Sequence, residues 1–311
     1  MVPKEYVNKV IGFVGLGLMG SSLVNHLINA GFSVFIYDLD PEKVKKAVKN
    51  GGIALSNIED MASHVQVIIL SLPNSNIVND VVLHRLKVLG GNYPGLIILD
   101  TTTADPEMSI ALASQLRDYG IEMLDATISG TSEMCAAKDT IFMVGGTESV
   151  FKECEPIFSV MGREYLYMGK NGSGAVIKLV VNLVLAINRM GLAEGLTLAK
   201  KAGLDPLQTL EILKKSAASS KAMDQKGYRM VNESFYPPIG HLSTHYKDLR
   251  LMLSYAATLD CPLPLASFNV QALASEISKG RGNRDSSAII SFYNELANLD
   301  SKKQISEDED D

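Results

Sequence analysis

The chain has 311 residues, 46% of them hydrophobic and 21% charged, with a formal net charge of −6. That length exceeds what one ordinary core supports, so two domains are expected. The acidic balance argues against a general nucleic-acid binder, and three widely spaced cysteines, Cys135, Cys154 and Cys261, argue against a disulfide framework or a CxxC zinc site.

The polar N-terminus, residues 1–10, carries no signal-peptide pattern and leads directly into a strand. Further strands are predicted at 9–14, 33–37, 65–71, 96–100, 122–124, 140–144 and 165–167. Several are continuously apolar, as in Val67-Ile-Ile-Leu70 and Leu96-Ile-Ile-Leu99. Such runs suit a parallel sheet covered on both faces. Strands alternating with helical patterns predict an α/β fold, a doubly wound Rossmann domain over 1–170.

The first strand runs into Gly15-Leu16-Gly17-Leu18-Met19-Gly20 and then a helix over about 19–30. Glycines in this turn let the backbone approach a pyrophosphate, whose charge the helix N-terminus favours. Asp38 lies 18 residues beyond Gly20 at the end of the second strand, where a carboxylate takes the ribose hydroxyls. It also repels a 2′-phosphate, and no arginine occurs between Tyr37 and Lys49. The expected cofactor is therefore NAD in preference to NADP.

Strand signals stop near Lys170. A helical pattern then runs from Gly172 to about Ala202, with Gly203 as its stop. Its apolar stretch, 175–195, is interrupted by Lys178, Asn182, Asn188, Arg189 and Glu194, which predicts a buried soluble helix rather than a membrane span. Breaks at 236–240, 261–264 and 280–282 separate further helices. An all-α domain is thus expected over 171–297, joined by the long helix, with an acidic disordered tail over 298–311.

Lys178 stands in Val176-Ile-Lys-Leu-Val-Val181, with Asn182 on the same helix face. Spacing alone leaves two readings open. A helical lysine commonly extends its head group to the surface. Held among apolar groups beside a nicotinamide, it would instead have the depressed pKa that a general acid/base requires. His241 and His245, at i,i+4 spacing, lack further ligands except Asp248, and no metal site is expected.

From residue 10 to 297 the chain resembles the β-hydroxyacid dehydrogenase family, which includes 3-hydroxyisobutyrate dehydrogenase and tartronate semialdehyde reductase. The resemblance rests on the glycine turn, Asp100-Thr-Thr102-Thr, Asp125-Ala-Thr-Ile-Ser129-Gly130, Gly172-Ser-Gly-Ala-Val-Ile-Lys178 with Asn182, and Lys247-Asp248. It implies hydride transfer between NAD(P) and a small hydroxyacid or its semialdehyde. By it, Lys178 is the general acid/base with Asn182 beside it. Ser129, Gly130 and Thr131 hold the substrate carboxylate, Thr102 and Lys247 contact the cofactor, and Leu72, Pro73 and Asn74 line its cleft.

The carboxylate loop departs from the family's Ser-Gly-Gly pattern, reading Ser129-Gly130-Thr131-Ser132, with Cys135 and Asp139 where glycine is common. The added hydroxyl favours a polar substrate. Two alternatives share the fold: an imine reductase, and a non-catalytic NAD(P)-binding protein. The lysine argues against both. A homodimer or homotetramer in the cytoplasm is expected, with neither nucleic-acid nor membrane partners.

Overall fold

In the computed structural model, which describes residues 9–91 and 93–299, the secondary structure begins as the apolar runs suggest. Expectations placed on residues 1–8 and on the tail from 300 onward lie outside the described residues. Eight strands make one sheet in the order β3-β2-β1-β4-β5-β6-β7-β8. They are β1 (Val10–Val14), β2 (Ser33–Tyr37), β3 (Ile53–Ala54), β4 (Val67–Leu70), β5 (Ile97–Asp100), β6 (Glu122–Ser129), β7 (Ile141–Gly145) and β8 (Glu164–Gly169). Between them run α1 (Leu18–Asn29), α2 (Pro41–Lys49), α3 (Met61–His64), α4 (Ser75–Asp80), α5 (Pro106–Arg117), α6 (Ser132–Ala136) and α7 (Glu148–Met161).

Alternate residues of the central strands feed two cores, which is why no polar face interrupts them. Ile11 and Phe13, Val67 and Ile69, and Ile97 and Leu99 pack with Leu23 and Leu27 of α1 and Phe158 of α7. Val14, Ile68, Leu70 and Ile98 face the other way, against Met61 of α3, Val78 of α4, and Leu112 and Leu116 of α5. The strand order reverses between β1 and β4, and ligands of doubly wound sheets lie in the crevice at the carboxyl ends of such strands. Asp-Pro opens α2 and α5, where the Asp40 and Asp105 carboxylates cap N–H groups and the proline supplies a helical φ at no hydrogen-bond cost.

Three sheet features differ from expectation, the first being the two-residue edge strand β3, which no apolar run announced. The strand predicted at 122–124 extends to Ser129. Asp125 interrupts the apolar run in the sequence, yet it lies in the sheet as a buried carboxylate met by backbone N–H groups. The pairing of β6 with β7 is antiparallel, while all others are parallel. The link through α6 is too short for a parallel crossover, which needs about a dozen residues or more.

Contacts divide the chain into Met1–Lys178 and Leu179–Asp311. The division falls inside α8 (Ser173–Lys201), a helix of 29 residues and so about 43 Å long. By length and composition α8 could cross a membrane. Its Ala186, Met190, Ala193 and Leu196 are buried in the core of the second unit. That unit continues with α9 (Pro206–Lys215), α10 (Lys221–Val231), α11 (Leu242–Thr258), α12 (Pro264–Ser278) and α13 (Ile289–Leu296). Leu210, Met230, Leu249, Met252, Leu273 and Ile290 fill the space between these helices.

A buried ion pair anchors this helical unit. Both Asp285 oxygens lie 2.8 Å from Lys226 Nζ. The same carboxylate accepts the N–H groups of Ile239, Gly240 and Ser287 and the Ser287 hydroxyl. Burial pushes the Asp285 carboxyl up, but these donors outweigh it and hold it well below the usual carboxylate range. Nearby, α11 begins at Leu242 despite the preceding prolines, with His241 as its N-cap residue bound to the Asn283 carbonyl. His245 is thus helical, and burial first, then the Arg189 and Lys226 charges, pushes it down to about 3. Among the described residues no cluster of three His, Cys, Asp or Glu side chains forms.

Candidate active site

The turn after β1 is shaped for close backbone approach. Gly15 has φ of +99°, and a Cβ there would lie 2.2 Å from the Ser71 carbonyl oxygen. One at Gly20 would lie 2.0 Å from the Gly15 oxygen, so α1 begins directly on the turn. Gly17, by contrast, faces open space. The two flanking glycines permit the fold of the turn, and the middle one leaves room for a pyrophosphate above the N–H groups of α1. Leu16 is buried beneath the turn, whereas Leu18, the first residue of α1, is 77% exposed. Met19 is partly buried against the α1 core.

Asp38 follows β2 at the rim of this turn. Its Oδ2 accepts the Leu16 N–H at 2.6 Å and its Oδ1 the Asp40 N–H at 2.8 Å. Lys43 Nζ stands 3.9 Å away. A carboxylate has about four lone-pair positions, so acceptors remain for ribose hydroxyls. The residues therefore fit the adenosine half of a nicotinamide dinucleotide. This fit rests on the glycine cradle and the anchored carboxylate.

Beyond β4 and β5 the loops brace one another. Thr102 Oγ1 accepts the Leu72 N–H at 3.2 Å, while Thr102 N–H donates to Asp100 at 2.9 Å. Burial pushes the Asp100 carboxyl up to about 7, against the pull of its bonds to Thr102. Thr102 is buried, so in this structure it acts as a brace between two loops. Asn74 caps α4 by accepting the Ile77 N–H, and Pro73 lies between it and Leu72.

The strand β6 delivers the loop Ser129-Gly130-Thr131. Gly130 has φ of +148°, and a Cβ there would press within 2.7 Å of Thr140 Cγ2. Thr131 is the N-cap of α6, its hydroxyl accepting the Met134 N–H at 3.2 Å. The short helix rests on α1, with His26 Nε2 2.7 Å from the Cys135 carbonyl oxygen. The left-handed residue after α6 is Lys138, at φ of +61°, and not Cys135 or Asp139. Cys135 is helical and fully buried, so neither of the two expected positions needs glycine.

Lys178 is 9% exposed, in the second turn of α8. One turn later on the same face comes Asn182, which is partly buried. Lys247 also belongs to the second unit. Its side chain, on α11, is 49% exposed, with Nζ 3.3 Å from Asp248 Oδ1. The first unit thus contains the glycine turn, Asp38, Leu72 to Asn74, Thr102, Ser129 to Thr131 and Lys178. The second contains Asn182 and Lys247. Sequence reasoning gave no role to Thr127, whose hydroxyl bonds to α8. A threonine amid an apolar buried strand was the available signal.

A glycine turn after β1, an anchored carboxylate beside it and a buried lysine on α8 fit a nicotinamide-dependent oxidoreductase. Residues 10–169 match the NAD binding domain of 6-phosphogluconate dehydrogenase, and residues 172–293 match the domain described as NAD-binding of NADP-dependent 3-hydroxyisobutyrate dehydrogenase. Over 289 residues the chain is 32% identical to the 2-(hydroxymethyl)glutarate dehydrogenase of Eubacterium barkeri, spanning 93% of this chain and 96% of that one. It is 30% identical to the chloroplastic glyoxylate/succinic semialdehyde reductase 2 of Arabidopsis thaliana, over 90% and 78% of the two chains. Among solved structures, the Mycobacterium tuberculosis 3-hydroxyisobutyrate dehydrogenase with L-serine superposes with a TM-score of 0.83 at 25% identity, covering 92% and 98%. The chain belongs to the β-hydroxyacid dehydrogenase family. With relatives of this kind, neither the imine reductase nor the non-catalytic reading is favoured.

Proposed function

We infer that this chain transfers a hydride between NAD and a small polar β-hydroxyacid or its semialdehyde, with Lys178 as general acid/base. The observation that carries this reading is the burial of Lys178 within an apolar helical run. A surface-seeking lysine would keep its ammonium in water. In oxidation Lys178 accepts the substrate's hydroxyl proton, and in reduction it returns that proton. The bound nicotinamide supplies the carbon that takes or gives the hydride. Asn182 orients the hydroxyl or the lysine. Ser129 to Thr131 hold the carboxylate, and the Thr131 hydroxyl, fixed by accepting from Met134, keeps its own proton for donation. Thr102 braces the cleft lined by Leu72, Pro73 and Asn74, and Lys247 contacts the cofactor.

The names of the two curated relatives support the substrate class, since each describes a small acid bearing an alcohol or aldehyde. The test is reduction of NAD and NADP across 2-(hydroxymethyl)glutarate, 3-hydroxyisobutyrate, glycerate, 4-hydroxybutyrate, threonate and sulfonated alcohols. Turnover of at least one is expected. Tight NADH binding with no turnover in either direction would overturn the substrate class.

Asp38 supports NAD over NADP. Replacement by alanine removes both the ribose acceptor and the charge that repels a 2′-phosphate. The ratio of kcat/KM for NAD to that for NADP should fall about tenfold or more, a change of about 1.4 kcal/mol in relative binding. An unchanged ratio would assign cofactor choice elsewhere. The free thiols of Cys135, Cys154 and Cys261 support a reducing compartment such as the cytoplasm. Exposed Leu198, Leu207 and Ile212 support a homodimer or homotetramer, which light scattering would report.

A further inference from the structure

The first turn of α8 lies directly on the sheet, its backbone at Gly174 meeting the backbone of β6 and β7. A Cβ on Gly174 would come within 2.2 Å of the Asp125 carbonyl oxygen and 2.5 Å of the Met143 carbonyl oxygen. One on Gly145 would come within 2.8 Å of both Asp125 carboxylate oxygens and of the Gly174 nitrogen. Glycine at both positions allows three buried bonds. The Asp125 carboxylate accepts the N–H groups of Gly172 at 2.8 Å and Ala175 at 3.0 Å. The Thr127 hydroxyl donates to the Gly174 carbonyl at 2.7 Å.

The two side chains do different things. Asp125 satisfies N–H groups that any helix start leaves without an intrahelical partner. The Gly174 carbonyl has no such need, because in an α-helix it already accepts the N–H of Lys178. Thr127 therefore adds location, gripping the carbonyl that belongs to the lysine's own turn. Valine would suit this buried strand position at least as well for packing, and it places no hydroxyl there. Two residues beyond Thr127 on the same strand is Ser129, where the carboxylate loop opens.

We propose that Thr127 and Asp125 are positioning residues for proton transfer, clamping α8 to β6 so that Lys178 keeps a fixed placement relative to the loop Ser129 to Thr131. The proposal rests on Lys178 being the proton-transfer group. A displacement of about 1 Å in such a group can cost roughly a hundredfold in rate.

The test uses the full chain and whichever hydroxyacid turns over fastest, with Thr127→Val, Thr127→Ser, Asp125→Asn and Lys178→Ala compared for kcat, both KM values and melting temperature. Thr127→Val should lose roughly 10- to 100-fold in kcat, with the KM for the nucleotide within about twofold. Thr127→Ser, which keeps the hydroxyl, should return kcat to within about threefold of the parent, and Asp125→Asn should lower kcat as Thr127→Val does. If Thr127→Val folds poorly, the split between kcat and KM in Asp125→Asn carries the test. Parental kcat in Thr127→Val alongside an inactive Lys178→Ala would overturn the clamp alone. Undiminished turnover by Lys178→Ala would overturn the reading beneath it.

Discussion

Lys178→Ala is expected to lose about 10²- to 10⁴-fold in kcat while its dissociation constant for NADH stays within a fewfold of the parent. The split follows from placement. The nucleotide cradle is built from the turn at Gly15 to Gly20 and from Asp38, all remote in sequence from α8. On the proposed reading, removing the ammonium deletes the proton partner and leaves that turn intact. Lys178→Arg should be no rescue, because a guanidinium remains protonated and cannot accept the hydroxyl proton. Steady-state kinetics with nucleotide titration by fluorescence separates these effects. A kcat within tenfold of the parent in Lys178→Ala, or an active arginine variant, would remove Lys178 from the reaction.

The second large effect is on stability. Asp285→Ala should cost roughly 3–5 kcal/mol, since it leaves the Lys226 ammonium buried without its counter-charge. It also strips the acceptor from the N–H groups of Ile239, Gly240 and Ser287. Lys226→Met should cost less, because the Asp285 carboxylate retains those donors and the Ser287 hydroxyl. Burial draws the Lys226 ammonium's proton affinity down, which points the same way. Urea unfolding followed by circular dichroism gives the order, and a lysine variant less stable than the aspartate variant would contradict this account.

The pH dependence has a definite sign. The folded Asp285 carboxyl is held below its unfolded value, so its contribution is fully present above about pH 4–5 and fades as pH falls toward the folded value. The stability gap between the parent and Asp285→Ala should therefore narrow in acid below about pH 4. A gap that widened there would show that the carboxylate is not the stabilising species.

Much of the architecture was legible in the sequence because its signals are local. Four-residue apolar runs such as Val67–Leu70 specify a buried strand, and the glycine turn takes its shape from backbone geometry within one βαβ unit. The stop of α8 at Gly203, with φ of +79°, is equally local. Where prediction shortened β6 to 122–124, the cause was Asp125, whose charge reads as a strand end until its partners are known.

Those partners lie 47 and 50 residues away in the chain, and Lys226 lies 59 residues from Asp285. No periodicity encodes such pairings. They exist because the closed fold removes water from both groups, after which an unpaired charge or N–H would be costly. The sequence by itself thus determined the class of fold, the glycine turn after β1 and the residue types available for chemistry. Tertiary structure alone decided that Lys178 is buried rather than extended into solvent, that Thr102 braces two loops, and that Thr127 grips the helix carrying the lysine. Burial and long-range hydrogen bonding are properties of the packed chain, because they depend on which surfaces exclude water together.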